Sequence, residues 1–388
     1  MRDPDFTLTA GPTAASAPTL AALGSPIIYH YDPVFLETFR RTEAKVGKLF
    51  RTQNEIILLQ GEAFLGLEAA ARSLVRAGTR VLNLASGVFG KGMGSRLKAL
   101  GAEVAELEVA YDDAVDPGAV ADYLDTHPET ELVTVVHSET PSGTLNDCSA
   151  IGPIARSHGA LTLVDAVSSL GGVPLEVDAW QLDVCVSGPH KCLAGPPGVA
   201  LISVSDAAWK MIGANPHAPR ASYLSLLDWR ERWHGEGRFP FTPLVNDIRG
   251  LEAACDQVLG EGLDSSIARH HRSASACRAG ARAMGLQLWP KREEIAADCV
   301  TAIRVPDGID HEAVRAHART RYGVMISSGQ GAGNLVRIGH MGPSANGLQP
   351  VVGLAALGRT LADLGADVRT GDGVEAALAV LANEQPTG

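Results

Sequence analysis

The stretch Ser187 to Gly198, SGPHKCLAGPPG, sets a single lysine, Lys191, in a frame of glycine, proline and other small residues directly after the apolar run VCV. Such a run reads as a buried strand, and the Gly/Pro frame as the loop leaving its carboxyl end. A cation kept only for solubility has no reason to stand there. Held among small residues, an ammonium group loses hydration, its pKa falls, and the neutral amine becomes a nucleophile towards carbonyl compounds. The plainer alternative is a lysine paired with a surface acid.

Working outward, ALTLVDAV ends a second apolar run in Asp165, 26 residues before Lys191. Alone, an acid at a strand end reads as a helix cap or a loop salt bridge. Further apolar runs (IILLQ, RVLNLAS, ELVTVVHS, GVALISVS) alternate with helix-like segments at Glu62 to Ala77, Phe89 to Leu100 and Ala150 to His158. That alternation predicts an α/β fold with a mostly parallel sheet and covering helices. The pattern dissolves between Asn215 and Pro243, two long amphipathic segments follow, and from Leu286 onward shorter runs suggest a smaller α+β unit. The expected division is a large domain over residues 1–260, N-terminal segment included, and a small C-terminal domain over 261–388.

Composition narrows the partners. With 388 residues and 45% apolar content the chain has ample material for a large core. A formal charge of −11 argues against nucleic acid and anionic membrane surfaces, both of which call for clustered Lys and Arg. No run is apolar long enough to cross a bilayer, and MRDPDFTLTA lacks the apolar core of a signal peptide, so a cytoplasmic enzyme of small-molecule substrates is expected. Six scattered cysteines, without C-x-x-C or zinc-like His spacing, read as reduced thiols, and no metal site is expected.

Ligands of open α/β sheets bind outside the carboxyl ends of the strands, so the strand-end loops carry the functional reading. SGVFGKGMGS places Gly90, Gly92 and then Ser95 where a dinucleotide fingerprint needs a third Gly or Ala, with Glu108 at the spacing of a ribose-binding acid: a weak match. Asp165 and Lys191 at neighbouring strand ends are, by contrast, what pyridoxal chemistry requires. The lysine bonds the aldehyde as a Schiff base, and the carboxylate keeps the ring nitrogen protonated so that the ring takes up electrons. Phe89 then serves as an aromatic plate on one ring face and Val167 packs the other.

From LTAGP through LNLASGVFGKG, HSETPSGT, VDAVSSLGG and SGPHKCLAGPPG to RIGHMGP, the chain resembles the class V enzymes of the aspartate aminotransferase fold, fold type I. The resemblance covers nearly the whole chain and lies in the branch with alanine-glyoxylate aminotransferases. It implies Lys191 as the Schiff-base lysine, Asp165 on the pyridine nitrogen, Phe89 on the ring, Thr140 near the ring hydroxyl, Arg337 on the substrate carboxylate, and Gly11 and Tyr29 beside the substrate. A homodimer or homotetramer with active sites near the subunit interface is implied as well.

Against this pattern two departures stand out. Relatives bind a cofactor phosphate at the junction equivalent to GEAFLG and add a tyrosine and a threonine from the neighbouring subunit. Here Glu62 puts a negative charge at that point, and FPFTP offers Phe241 and Thr242. A carboxylate suits the O–H of a hydroxymethyl group and repels phosphate, although Glu62 also reads as an acid on its own helix N-terminus. The ligand expected is unphosphorylated pyridoxamine, exchanging its amino group with an oxo acid such as pyruvate to leave pyridoxal and L-alanine, and no cofactor is expected to be tightly bound. His190, beside Lys191, either pairs with Glu62 or faces solvent. The second departure is Gln330, where the pattern carries a second carboxylate-binding arginine. Three alternatives stay open at this level: a conventional pyridoxal-phosphate aminotransferase of small amino acids, a nicotinamide-dependent enzyme, and a ligand-sensing module.

Overall fold

The computed structural model describes residues 3–383. Strands β1 (Glu55–Gln60), β2 (Arg80–Ala85), β3 (Glu103–Glu108), β4 (Leu132–Val136), β5 (Leu161–Asp165), β6 (Val184–Ser187) and β7 (Val199–Val204) form one sheet in the order β1-β7-β6-β5-β4-β2-β3. All neighbours run parallel except β7, which is antiparallel to both β1 and β6. β4 and β7 are buried along their whole length, which is why they read as unbroken apolar runs: strands covered on both faces have no polar side. Because β2, β4, β5 and β6 are parallel, the loops after them open on one edge. The chain reverses its direction of travel through the sheet between β2 and β4, so that edge also contains the switch point where such sheets bind ligands.

Helices α1 (Ala63–Leu74) and α2 (Val88–Ala99) follow β1 and β2. Gly66 explains how α1 lies so close to the sheet: a Cβ there would come 2.7 Å from Ala200 Cβ and 3.0 Å from Val186 Cγ1. The absence of a side chain lets the helix start, with Glu62 at its N-cap, sit beside the end of β6. The stretch expected to be irregular, Asn215 to Pro243, contains a π-helix, Trp229–Gly235. Its wide turns carry Trp229 and Trp233 onto Phe39, with ring centroids 5.9 and 4.8 Å away, and Trp233 stacks on Phe239 at 4.3 Å. The charged residues between the two tryptophans hide that packing from a periodicity count.

A second hydrophobic core lies around strands β8 (Val300–Arg304), β9 (Ser327–Ser328) and β10 (Leu335–Gly339), an antiparallel sheet ordered β8-β10-β9. Helices α3 (Leu263–Ala283), α4 (His311–Tyr322), α5 (Gln349–Asp363) and α6 (Thr370–Asn383) pack on it through residues such as Cys277, Val314, Leu354 and Ala377. Leu8 belongs to this core, and Phe6–Thr7 pairs in parallel with Val324–Met325, although these residues are expected with the larger unit. The crossing has a use: it delivers Ala10 and Gly11 to Lys191. Among the described residues no helix is long and apolar enough to cross a membrane.

Candidate active site

Asp165 ends β5 as a buried side chain, its Oδ1 accepting from the Val167 N–H at 3.0 Å. Burial raises its pKa to about 6, against the backbone bond and the charges of Lys191 and Arg96. Lys191 lies in the turn after β6. Its Nζ donates to the Ala10 carbonyl at 2.8 Å, and burial, then the Arg337 guanidinium, pull the ammonium pKa down. Gly11, at φ +100, makes room for it: a Cβ would fall 2.4 to 2.6 Å from the lysine's Cδ, Nζ and Cε, so a side chain there would displace the amine.

Two cavities meet at this lysine. The smaller, about 110 Å³, is lined by Glu62, Phe89, Thr140, Asp165, Val167 and His190, with Lys191 at its boundary. Thr140 and Ser168 share a short hydroxyl hydrogen bond, and Ser168 Oγ also donates to the Ser138 carbonyl at 3.2 Å. Glu62 takes an extended N-cap conformation but makes no side-chain bond to its own helix, so capping does not consume its carboxylate. His190 is buried and its Nδ1 has no hydrogen-bond partner among the described residues, so the pairing with Glu62 through that nitrogen does not form; burial and then Lys191 lower its pKa to about 4.

The larger cavity, about 580 Å³, shares Phe89 and Lys191 and is lined by Gly11, Gln330 and Arg337. Arg337, on β10, is 2% exposed, and its pKa is lowered to about 10 by burial, leaving it charged at neutral pH. Two carbonyls hold the guanidinium: Nε donates to Ser328 at 2.5 Å and Nη1 to Thr140 at 2.7 Å. Gln330 is exposed at the cavity mouth with φ +48.

Not every expected residue comes to the site. Tyr29 is 67% exposed and packs on His30 and Tyr31, Phe241 packs on Tyr223 with ring centroids 4.5 Å apart, and Thr242 is exposed. None of the three lines either cavity of the single chain. The dinucleotide reading also gives way, because Glu108 takes Lys91 Nζ at 2.6 Å and the Gly90 N–H is spent on Glu139.

Glu139 escapes sequence reasoning altogether. Fully buried, it accepts from the N–H groups of Phe89 at 3.1 Å and Gly90 at 2.6 Å and so fixes the start of α2, where the Phe89 ring stands; burial raises its pKa to about 7. Arg96, half-buried on α2 with its guanidinium 4.1 Å from the Phe64 ring centroid, is a second such residue. The only signals are an acid inside HSETPSGT and an arginine two turns into a helix, neither distinctive.

A lysine, a buried aspartate at an adjacent strand end, paired hydroxyls and an arginine in the neighbouring cavity form a set suited to a pyridine aldehyde and a carboxylate. The family model for class V aminotransferases matches residues 21–341. The chain belongs to the class V aminotransferases. It is 48% identical to pyridoxamine–pyruvate transaminase of Mesorhizobium japonicum, over 98% of this chain and 97% of that protein. It is 34% identical to L-aspartate–glyoxylate aminotransferase of Paracoccus denitrificans, over 95% and 93%. The crystal structure of pyridoxamine-pyruvate aminotransferase from Mesorhizobium loti superposes with a TM-score of 0.96 at 47% identity, covering 99% of this chain and 98% of that one. Ureidoglycine-glyoxylate aminotransferase from Bacillus subtilis gives 0.93 at 30%, covering 99% and 100%. The fold is thus that of the fold type I aminotransferases.

Membership of the class V aminotransferases overturns one expectation. These enzymes bind pyridoxal phosphate as a cofactor, so the view that no cofactor is tightly bound does not stand. The residues present fit the ring of such a cofactor: a buried acid for its nitrogen, hydroxyls at its edge, a lysine for its aldehyde, and in His190 Nδ1 a buried polar atom without a partner among the described residues.

Proposed function

We propose that this class V aminotransferase moves the amino group of pyridoxamine to pyruvate, giving pyridoxal and L-alanine, in the cytoplasm, as a step of vitamin B6 degradation. The observation that carries the reading is Glu62, whose carboxylate lines the ring cavity with no bond to its own helix. The similarity to the Mesorhizobium pyridoxamine-pyruvate sequence and crystal structure supports it.

On this reading the pyridine ring would be held between Phe89 and Val167, with Thr140 at its hydroxyl, Asp165 at its nitrogen and Glu62 accepting from its hydroxymethyl O–H. His190, uncharged near pH 7, serves the same end of the pocket. When bound, the protonated ring supplies a sink for the electron pair left as a C–H bond at its C4' carbon breaks. Asp165 holds the proton on the ring nitrogen by presenting a charge in a buried site, where the interaction is strong. Lys191, pushed towards the neutral amine, takes the proton from C4' as general base and returns it to the α-carbon of the acceptor as general acid. Arg337 binds the acceptor's carboxylate and orients that carbon above Lys191, and Gly11 keeps the amine's path clear. Gln330 contributes neutral hydrogen bonds at the mouth.

Residues 1–260 and 261–388 serve as a pyridoxal-binding and a smaller domain. Tyr29, Phe241 and Thr242 act in a homodimer or homotetramer, reaching the site of a neighbouring subunit. Addition of pyridoxal should give a visible absorption band that Lys191→Ala loses, since the band requires the bond to this amine. An unchanged band in that variant defeats the assignment of Lys191.

A further inference from the structure

The larger cavity is lined by two further arginines that the function above leaves unused, Arg315 and, one turn on along the same helix, Arg319. Arg315, on α4, donates through Nε to the Ile326 carbonyl at 3.2 Å. Two residues on, the Ser328 carbonyl accepts from Arg337. Arg315 and Arg337 therefore hang from one short segment, 326–328, and open into one cavity. Arg337 forms its buried floor, and Arg315, with a side chain 36% exposed, forms its wall. They lie close enough for the charge of Arg315 to add to the lowering of the Arg337 pKa.

Glu312, one turn back on α4, engages Arg315 Nη1 through both carboxylate oxygens at 2.6 and 2.7 Å. A helical i,i+3 ion pair open to water is weak, and the Glu312 side chain, 58% exposed, has water to turn to when another carboxylate takes its place. The cavity of about 580 Å³ is far wider than a three-carbon acid needs. Arg337 at the floor receives the carboxylate next to the keto carbon, which leaves Arg315, tied like Arg337 to segment 326–328 and sharing the cavity lining with Arg319, facing whatever the acceptor carries at its other end.

We propose that Arg315 is a specificity-determining residue that receives the far carboxylate of a dicarboxylic oxo acid, so that this site takes oxo diacids of four or five carbons as amino acceptors beside pyruvate. The proposal deepens the aminotransferase reading of this site and rests on it. No further reactant is needed, because the donor's amino group and the acceptor's keto oxygen change places as they do with pyruvate.

The test compares pyruvate with oxaloacetate and 2-oxoglutarate as acceptors by initial rates of pyridoxal formation, in the unaltered enzyme, Arg315→Gln and Glu312→Gln. A charge-assisted bond lost should lower the diacid-to-pyruvate ratio of kcat/KM by about tenfold in Arg315→Gln. Glu312→Gln, which removes the competing carboxylate, should raise the same ratio. Calorimetric titration of the pyridoxal-loaded protein with succinate and propionate supplies a readout independent of the amino donor. Succinate should bind about tenfold more tightly, and Arg315→Gln should erase the difference. Equal binding of the two acids, or a ratio unmoved in Arg315→Gln, overturns the proposal. If succinate keeps its Arg315-dependent advantage while none of the oxo acids supports turnover of pyridoxamine, the role of Arg315 stands and the proposed amino donor fails.

Discussion

Replacing Arg337 tests the carboxylate site at its most constrained point. The Ser328 and Thr140 carbonyls fix the guanidinium through Nε and Nη1, which leaves the second Nη1 N–H and Nη2 to meet a substrate carboxylate without any search for a geometry. Its pKa, lowered to about 10, keeps the group charged through the neutral range. Two charge-assisted hydrogen bonds to a carboxylate are worth roughly 1.5–3 kcal/mol each, so Arg337→Ala should cost about a hundred- to ten-thousand-fold in kcat/KM for pyruvate. That variant also strands two carbonyls, at about 1 kcal/mol or more each, and should melt at a lower temperature. Arg337→Lys separates the effects, since it keeps the charge and the bulk but cannot bond both carbonyls and the substrate at once; a loss of roughly tenfold to a hundredfold is expected. The assay is the initial rate of pyridoxal release with pyruvate varied at fixed pyridoxamine, beside thermal melting. If Arg337→Lys keeps pyruvate kcat/KM within about threefold of the unaltered enzyme, the oxo acid is not held by this guanidinium and the placement above is wrong.

Two further changes probe the ring and the mouth. Asp165, with its pKa raised to about 6, carries a proton below that pH and then has no charge to offer a pyridinium N–H. Affinity for pyridoxal, followed by absorbance, should fall by about tenfold per pH unit below 6 and flatten above it; an inflection that persists in Asp165→Asn would assign it to another group. Gln330→Arg should lower the KM for pyruvate several-fold, because a charged bond exceeds a neutral one by about 1 kcal/mol. An unchanged KM would leave Gln330 as a surface loop residue.

How much of this was legible beforehand depended on whether a residue's partner was local in sequence. Asp165 and Lys191 announce themselves because one ends an apolar run and the other stands in the Gly/Pro loop after the next, and parallel strands bring such ends to one edge. Phe89 follows from its place at a helix start in a strand-end loop. Arg337 has no local signal and enters only through resemblance, since its holders are carbonyls on a neighbouring strand and, at Thr140, nearly two hundred residues away. Glu139 is silent for the same reason: its partners are backbone N–H groups 49 and 50 residues earlier, and backbone leaves no trace in side-chain patterns. Arg315 reads as one half of an ordinary surface ion pair with Glu312, and only the fold of 324–328 against α4 shows which cavity it faces. The π-helix at Trp229–Gly235 is hidden because its reason is aromatic packing against Phe39 and Phe239, which a local window does not contain. Tyr29, Phe241 and Thr242 line neither cavity of the single chain, and no local pattern in the sequence distinguishes them from residues that do.

The most direct test of the proposed function compares pyridoxamine with pyridoxamine phosphate as amino donor to pyruvate, in the unaltered enzyme and in Glu62→Gln. Glu62 lines the ring cavity with an uncapped carboxylate, which accepts from a hydroxyl group and repels a phosphate. The unphosphorylated donor should therefore show a kcat/KM at least about tenfold higher. Removing the charge should narrow that gap from both sides, with pyridoxamine used less well and its phosphate better. Equal or preferred use of the phosphorylated donor by the unaltered enzyme would contradict the account and assign the chain a phosphorylated amino donor.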